Sequence, residues 1–165
     1  MVDILGNTEA SRMILSKSNF IRVPSQIFEE GVFYTLTVEK LQAFDTLFSG
    51  HNIEISICMR NPSSFVLASF DKSHIHLYDL FITRATAEAV QYHGLIDRTR
   101  ATLPKAKITA WSYENTPLIW PKLLRCIMAL TDEDSVKCSH DLIASALTPT
   151  GTQRSQNYLK ANPRS

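Results

Sequence analysis

The chain has 165 residues, of which 44% are hydrophobic and 20% are charged, and its 17 basic and 16 acidic side chains give a formal net charge of +1. This length predicts one domain with its own core, and the balanced charge excludes a global attraction to nucleic acid or anionic lipid. The longest uninterrupted apolar run, residues 126–130, is far shorter than the roughly 20 residues of a membrane span, so we expect no transmembrane segment.

The cysteines indicate a reducing compartment. Cys58, Cys126 and Cys138 form an odd, sparse set without CxxC spacing, which predicts neither a disulfide framework nor a zinc knuckle. The N-terminus has no charged start followed by an apolar run, so no signal peptide is expected. We therefore expect an intracellular protein, cytoplasmic or nuclear, with reduced thiols.

The first half of the chain predicts two helices and several strands. Residues 7–16 favour a short amphipathic helix, and the alternation over residues 32–38 favours a strand. Apolar residues at helical spacing over 41–48 then predict a helix that ends before Gly50.

The clearest strand pattern lies at residues 53–59, where apolar and polar side chains alternate. Asn61-Pro62 is interpreted as a turn, followed by a second strand over residues 65–70 and a third over residues 74–82. Together these segments predict an antiparallel meander over about residues 52–82.

The second half predicts helices around one further strand. A helix is expected over residues 83–97, with Gly94 ending it early, then a strand over 107–113 and a helix from Pro117 to Leu130. A last helix would be capped by Thr131 or Asp132, with a buried side formed by Val136, Leu142, Ile143, Ala146 and Leu147.

The predicted fold class is α+β, with a mainly antiparallel sheet and packed helices, two of them C-terminal. One globular domain is expected over residues 1–147. Residues 148–165 are polar, and their charged groups are all basic: Arg154, Lys160 and Arg164. Because this segment has few apolar side chains to bury, the sequence predicts a flexible basic tail without a regular element.

Two pairs of residues are candidates for reactive or metal-binding groups. His74 and His76 would share one face of a strand and could begin a zinc or copper site, but Asp79 would point to the other face and no third ligand is near. Surface or cross-strand histidines are the favoured interpretation. Cys138 and His140 would point to different sides of a helix, so cysteine catalysis is not expected.

The order strand, strand, strand, helix, strand over residues 53–113 resembles the ribonuclease H-like fold. Two segments, Phe65-Val66-Leu67-Ala68 and Ala87-Glu88-Ala89, are also similar to the sequences of plant members of that family. The resemblance implies carboxylates that hold two Mg²⁺ ions, with Glu54 matching the first and Glu88 the second. The fourth-strand aspartate is missing, and Glu114 lies beyond that strand.

A second resemblance lies at residues 108–120. Ile108-Thr109-Ala110-Trp111-Ser112-Tyr113, followed by Pro117-Leu118-Ile119-Trp120, resembles a stretch of rhabdovirus matrix proteins, in which a strand leads into a helix through an acidic turn. The resemblance implies a small viral assembly protein that is associated with the virion. The plainer interpretation is that both tryptophans are core aromatics.

No catalytic set is complete, so the sequence favours a non-enzymatic structural or assembly protein that self-associates and binds a larger partner. The alternative is a metal-dependent ribonuclease H-like nuclease, or a degenerate relative that only binds nucleic acid. No cofactor is expected, except Mg²⁺ under that alternative. Weak contact with nucleic acid or an anionic membrane would use the basic groups of two segments: Arg98, Arg100, Lys105, Lys107, Arg154, Lys160 and Arg164.

Overall fold

A computed structural model describes residues 11–17, 19–29, 32–73, 75, 77–83, 86–131, 134 and 141–162. Its regular elements are, in chain order, β1 (Phe28–Glu29), β2 (Val32–Phe33), α1 (Thr37–Leu47), β3 (Glu54–Met59), α2 (Pro62–Asp71), α3 (Tyr78–Ile82), α4 (Tyr92–Thr102), β4 (Lys107–Ser112), α5 (Thr116–Met128), α6 (Asp141–Ala146) and α7 (Pro149–Ala161). Short 3₁₀ turns lie at Pro24–Gln26, Ala87–Ala89 and Tyr113–Asn115.

The chain divides into two compact units. One comprises residues 18–116, and the other comprises residues 1–17 together with 117–165. The single domain predicted over residues 1–147 stays a prediction, and residues on both sides of position 147 belong to the same unit.

The core of the 18–116 unit is built on a hairpin of aromatic residues. β1 and β2 pair antiparallel, with Phe28 opposite Phe33. Both rings are buried, together with Val66 of α2 and Leu95 of α4. The chain then turns sharply at Tyr34, whose left-handed backbone (φ +53°) lets its N–H donate to Ile27 O at 2.8 Å.

Helix α1 follows this turn at once. The predicted strand over residues 32–38 is therefore only two residues long, because Thr37 already lies in the helix, where its Oγ1 donates to Tyr34 O. The predicted helix over 41–48 is confirmed in place. The helix ends at Leu47, and Gly50 lies in the turn after it, where its φ of +85° suits a residue without a side chain.

Strands β3 and β4 form a parallel pair in which Glu54 aligns with Lys107 and Met59 with Ser112. The predicted alternation along β3 is confirmed, since Ile55, Ile57 and Met59 are half-buried and the residues between them are exposed. Ile57 packs against the aromatic core. The predicted strand over 107–113 is likewise confirmed as β4.

The predicted meander is wrong. Residues 65–70 lie in helix α2, because Asn61 acts as an N-cap, with its Oδ1 accepting from the N–H groups of Ser63 and Ser64, and Pro62 occupies the first turn. Tyr78–Ile82 is a short helix, and His74 and His76 lie outside the described residues. In the described part of the chain the sheets are two-stranded, one antiparallel and one parallel.

The helix predicted over residues 83–97 is displaced towards the C-terminus. A 3₁₀ turn at Ala87–Ala89 precedes α4, which begins at Tyr92 and continues through Gly94 to Thr102. The predicted helix from Pro117 is confirmed as α5, with Leu123 buried.

The other unit contains α5, α6 and α7. Residues 11–17 carry no helix, and the rest of the helix predicted at 7–16 lies outside the described residues. Most of the helix predicted from Thr131, including Val136, is also outside them, but Asp141–Ala146 is helical. The predicted buried side is wrong in part, since Leu142 and Ile143 are half-buried whereas Ala146 and Leu147 are exposed. The expectation of no element after residue 147 is wrong. Thr148 caps α7, and Thr152 Oγ1 donates to Ala144 O at 3.2 Å.

Over the described residues, no helix is both long enough and apolar enough to span a membrane.

Candidate functional site at the carboxyl edge of the parallel strands

Polar side chains gather where β3 and β4 end. Because the strands are parallel, their carboxyl ends lie at the same edge, and helices α2 and α5 begin there. In α/β sheets ligands usually bind at this edge, so its polar side chains are the candidate functional groups.

Glu114 bridges the two strand ends. Its Oε1 accepts the backbone N–H of Asn61 at 2.8 Å, and its Oε2 accepts the hydroxyl of Ser112 at 2.7 Å. The hydrogen bond from Asn61, followed by that from Ser112, holds the pKa of Glu114 below its usual value. The carboxylate is therefore charged near neutral pH, and it fastens the segment after β3 to the segment after β4.

Arg60 is fixed by three neighbours at the same edge. Its backbone N–H donates to the hydroxyl of Tyr92 at 3.1 Å, and its Nε donates to Ser64 Oγ at 3.1 Å. Its guanidinium lies 5.1 Å from the centre of the Tyr113 ring, within cation–π range. The side chain thus links β3, α2 and the turn after β4.

Cys58 and Tyr92 are the groups of this edge that could act as nucleophile or acid. Although the Cys58 residue is exposed, partial desolvation raises the pKa of its thiol, a hydrogen bond with Thr116 opposes this, and the charge of Glu114 adds to it. Burial also raises the pKa of Tyr92. Both groups are therefore neutral near pH 7, and a neutral thiol is a poor nucleophile.

The polar groups of this edge bind one another. Trp111 Nε1 donates to Thr116 Oγ1 at 3.2 Å, which adds the start of α5 to the same network. No histidine takes part in these bonds. Among the described residues, no cluster of three or more His, Cys, Asp or Glu side chains could hold a metal ion. The arrangement joins elements of the fold, and it lacks a paired base and nucleophile.

Two of the glutamates weighed for the ribonuclease H-like pattern, Glu54 and Glu114, lie far apart. Glu54 lies at the amino end of β3, and Glu114 contacts Asn61, beyond its carboxyl end. At about 3.3 Å per strand residue the two positions are about 20 Å apart, whereas two catalytic Mg²⁺ ions lie about 4 Å apart. Glu88 is exposed on the Ala87–Ala89 turn. Glu54 and Glu114 therefore cannot share a two-metal site.

The predicted basic patch is smaller in the structure. Arg98 is half-buried and its guanidinium donates to Phe33 O, so it holds the hairpin against α4 and is not available for phosphate. Arg100 is exposed and lies 3.9 Å from Asp97. Lys105 and Lys107 are exposed, as are Arg154 and Lys160 on α7. The remaining tail cation, Arg164, and the pair Cys138 and His140 lie outside the described residues.

The sequence missed Arg60 and Tyr92, because their contact joins residues far apart in the chain. The signal that was available is Asn61-Pro62, a pair as typical of a helix start as of a turn.

The chain matches no protein-family model, and searches of curated proteins and of solved structures found no match. The comparisons therefore assign neither a family nor a function, and the two resemblances stay predictions.

Proposed function

We propose that this protein is a non-enzymatic assembly protein that self-associates and binds a larger partner, comparable in role to a viral matrix protein. The proposal is supported by an exposed apolar patch in the unit that contains α5. The internally bonded polar groups at the strand ends agree with it, since they stabilise the fold without presenting a reactive pair.

The apolar patch consists of Met13, Ile14, Leu15 and Met128, all exposed. The first three are consecutive in a segment that forms neither helix nor strand. Arg12 fastens this segment to the end of α5, because its guanidinium donates to Ile127 O at 3.1 Å. Met13 follows Arg12 and Met128 follows Ile127 in the sequence, so this hydrogen bond ties the exposed segment to the end of α5.

Such a patch is costly to leave in water. Each exposed apolar side chain that becomes buried against a partner contributes about 25 cal/mol per Å² of covered apolar surface. Stable monomers rarely expose contiguous apolar patches larger than a few hundred Å², and larger ones mark interaction sites. This physical preference is the reason for assigning the patch to assembly.

Exposed cations support a secondary contact. Arg100, Lys105 and Lys107 lie in one unit, and Arg154 and Lys160 lie on α7 in the other. A few surface cations give weak, salt-sensitive attraction to phosphate, so any contact with nucleic acid or an anionic membrane is proposed as weak.

The test is sedimentation of the purified chain over a wide range of concentrations. Leu15 is 58% exposed and Leu47, at the end of α1 in the other unit, is 54% exposed, which makes the second a matched control. Leu15→Asp is expected to reduce the size of the largest oligomer, whereas Leu47→Asp is expected to leave that size unchanged. Equal effects of the two substitutions would reject the patch, and a wild-type chain that stays monomeric at every concentration would reject the assembly role.

A further inference from the structure

The outer edge of β3 is a row of backbone groups directed away from β4. The N–H of Lys107 donates to Ile53 O at 3.3 Å. In a parallel ladder, bonds to a given neighbour use every second residue, so the odd-numbered residues of β3 bond β4. The backbone groups of Glu54, Ser56 and Cys58 are then directed outwards.

A hydrogen bond occupies this edge at the carboxyl end of β3, whereas the centre of the edge has no described partner. Arg60 is the next outward residue, and its N–H is taken by the Tyr92 hydroxyl. No other described strand pairs with β3 besides β4, and no described residue hydrogen-bonds the outward backbone groups of Ser56. The open edge is therefore centred on Ser56.

The composition of β3 leaves this edge unprotected. Proteins blunt free edges with charged side chains (above all lysine), with proline or with a bulge, and of these β3 carries only Glu54, at its amino end. Its isoleucines at 53, 55 and 57 favour the strand conformation instead. By contrast, β4 begins at Lys107, close to Lys105, so its edge carries the protective charges.

We propose that a second copy of this chain pairs with β3 edge to edge. The two β3 strands run antiparallel about a two-fold axis at Ser56, giving a four-stranded sheet in the order β4-β3-β3-β4. This inference rests on the self-association proposed above, and it names the surface of one of its contacts.

The pairing is complementary to itself, as a two-fold interface requires. Ser56 faces Ser56 of the second copy, and Glu54 faces Cys58, so no like charges are opposed on the exposed side. On the half-buried side Ile55 faces Ile57, which extends the apolar surface of the sheet. In this register the outward backbone groups of each Ser56 find partners on the other copy. A shift of one residue would place apolar side chains opposite polar ones.

The register is tested with a thiol at the axis. Ser56→Cys is made in a Cys58→Ser background, because Cys58 is an exposed neighbouring thiol. Facing residues of a hydrogen-bonded antiparallel pair have Cα atoms about 5.5 Å apart, which suits a disulfide. Added diamide takes two electrons and two protons from the two thiols, so that one S–S bond forms between the copies and the diamide is reduced to its hydrazine.

A reducible covalent dimer is expected for Ser56→Cys and not for Ala110→Cys in the same background. Ala110 is an exposed residue of β4. In the proposed sheet the two β4 strands are three strand spacings apart, about 14 Å, which is too far for a disulfide. Equal cross-linking of the two variants, or none with Ser56→Cys, would overturn the register.

A second variant tests the edge without oxidation. Ser56→Lys places like charges opposite each other across the axis while the side chain stays on the exposed face, so the fold is kept. We expect it to weaken dimerisation by about twofold to fivefold in sedimentation, and Ala110→Lys to have no such effect. If Leu15→Asp lowers assembly and Ser56→Lys does not, the β3 pairing is wrong and the assembly role stands. If the wild-type chain never associates, both are wrong.

Discussion

Phe33 is the residue whose replacement tests the core of the 18–116 unit most directly. Its side chain is 2% exposed. Its ring centre lies 5.5 Å from that of Phe28, 4.4 Å from Tyr34, 5.6 Å from Phe65 and 5.3 Å from Tyr92. Four ring contacts on one buried side chain make Phe33 the centre of the aromatic cluster.

Phe33→Leu removes the ring and keeps most of the apolar volume. An aromatic pair contributes about 0.5–1.5 kcal/mol beyond its buried area, and a well-fitting hydrophobic exchange costs less than about 1.5 kcal/mol. Because contacts within one cluster are not additive, we expect a loss of about 3 kcal/mol in the free energy of unfolding. A domain with about 5–15 kcal/mol of stability would remain folded.

The measurement is urea unfolding followed by the fluorescence of Trp111, in a Trp120→Phe background so that only the 18–116 unit reports. Val32→Ala on the same strand is the control, since Val32 is 41% exposed and its truncation should cost about 0.5 kcal/mol or less. If Phe33→Leu unfolds at the same urea concentration as Val32→Ala, the aromatic cluster does not stabilise this unit as argued.

Two further predictions concern pH. Hydrogen bonds from Asn61 and Ser112 lower the pKa of Glu114 from 4.5, so its stabilising effect is present at neutral pH and is lost as pH falls below 4.5. The difference in the free energy of unfolding between wild type and Glu114→Gln, measured by urea unfolding, should therefore shrink as pH falls through that range. A difference that stays constant would contradict the prediction. Burial raises the pKa of Tyr34 from 10.0 to about 12, so wild type should lose about 3 kcal/mol as pH rises from 10.0 to about 12. Tyr92, whose pKa burial also raises, is present in both chains, so Tyr34→Phe should lose less stability than wild type by about that amount in alkaline unfolding curves, and an equal loss in the two chains would contradict the prediction.

The elements that the sequence predicted well are those in which one local pattern dominates. β3 has strict alternation with one exposed face, and α5 has apolar residues at helical spacing after Pro117. In both, the residue that packs inwards is decided by periodicity alone. Ile57 and Leu123 contact the interior as their spacing predicts, whereas Met128, which the same spacing places inwards, is 43% exposed at the end of α5.

Helix α2 was missed because its two signals were ambiguous. Asn61-Pro62 suits both a turn and a helix start, and residues 65–70 are mostly apolar, so they show no clear period. The structure buries Val66 and Ser69, three residues apart, which is helical spacing with a polar residue on the buried side. Helix α7 was missed for a related reason, since Thr148-Pro149 caps a segment that has few apolar residues.

The site at the strand ends depends on a pairing that the local sequence does not specify. Once β3 and β4 are known to be parallel, the residues that follow them must meet, and Asn61 and Glu114 do so. The predicted antiparallel meander covered only residues 52–82 and did not specify where the strand over residues 107–113 pairs. Neither the contact of Arg60 with Tyr92 nor that of Asn61 with Glu114 has a periodic signal, because each joins segments separated by whole elements.

The two proposed contacts would have different consequences for assembly. Pairing of β3 about a two-fold axis closes on itself and gives a dimer, so it cannot by itself build a larger structure. The apolar patch around Leu15 belongs to the other unit and provides a second, chemically different contact. A chain with both can extend from dimer to larger species. Ser56→Lys and Leu15→Asp should therefore act on different contacts: the first should weaken the β3-paired dimer and leave association through the patch, and the second should leave the β3-paired dimer as the largest species.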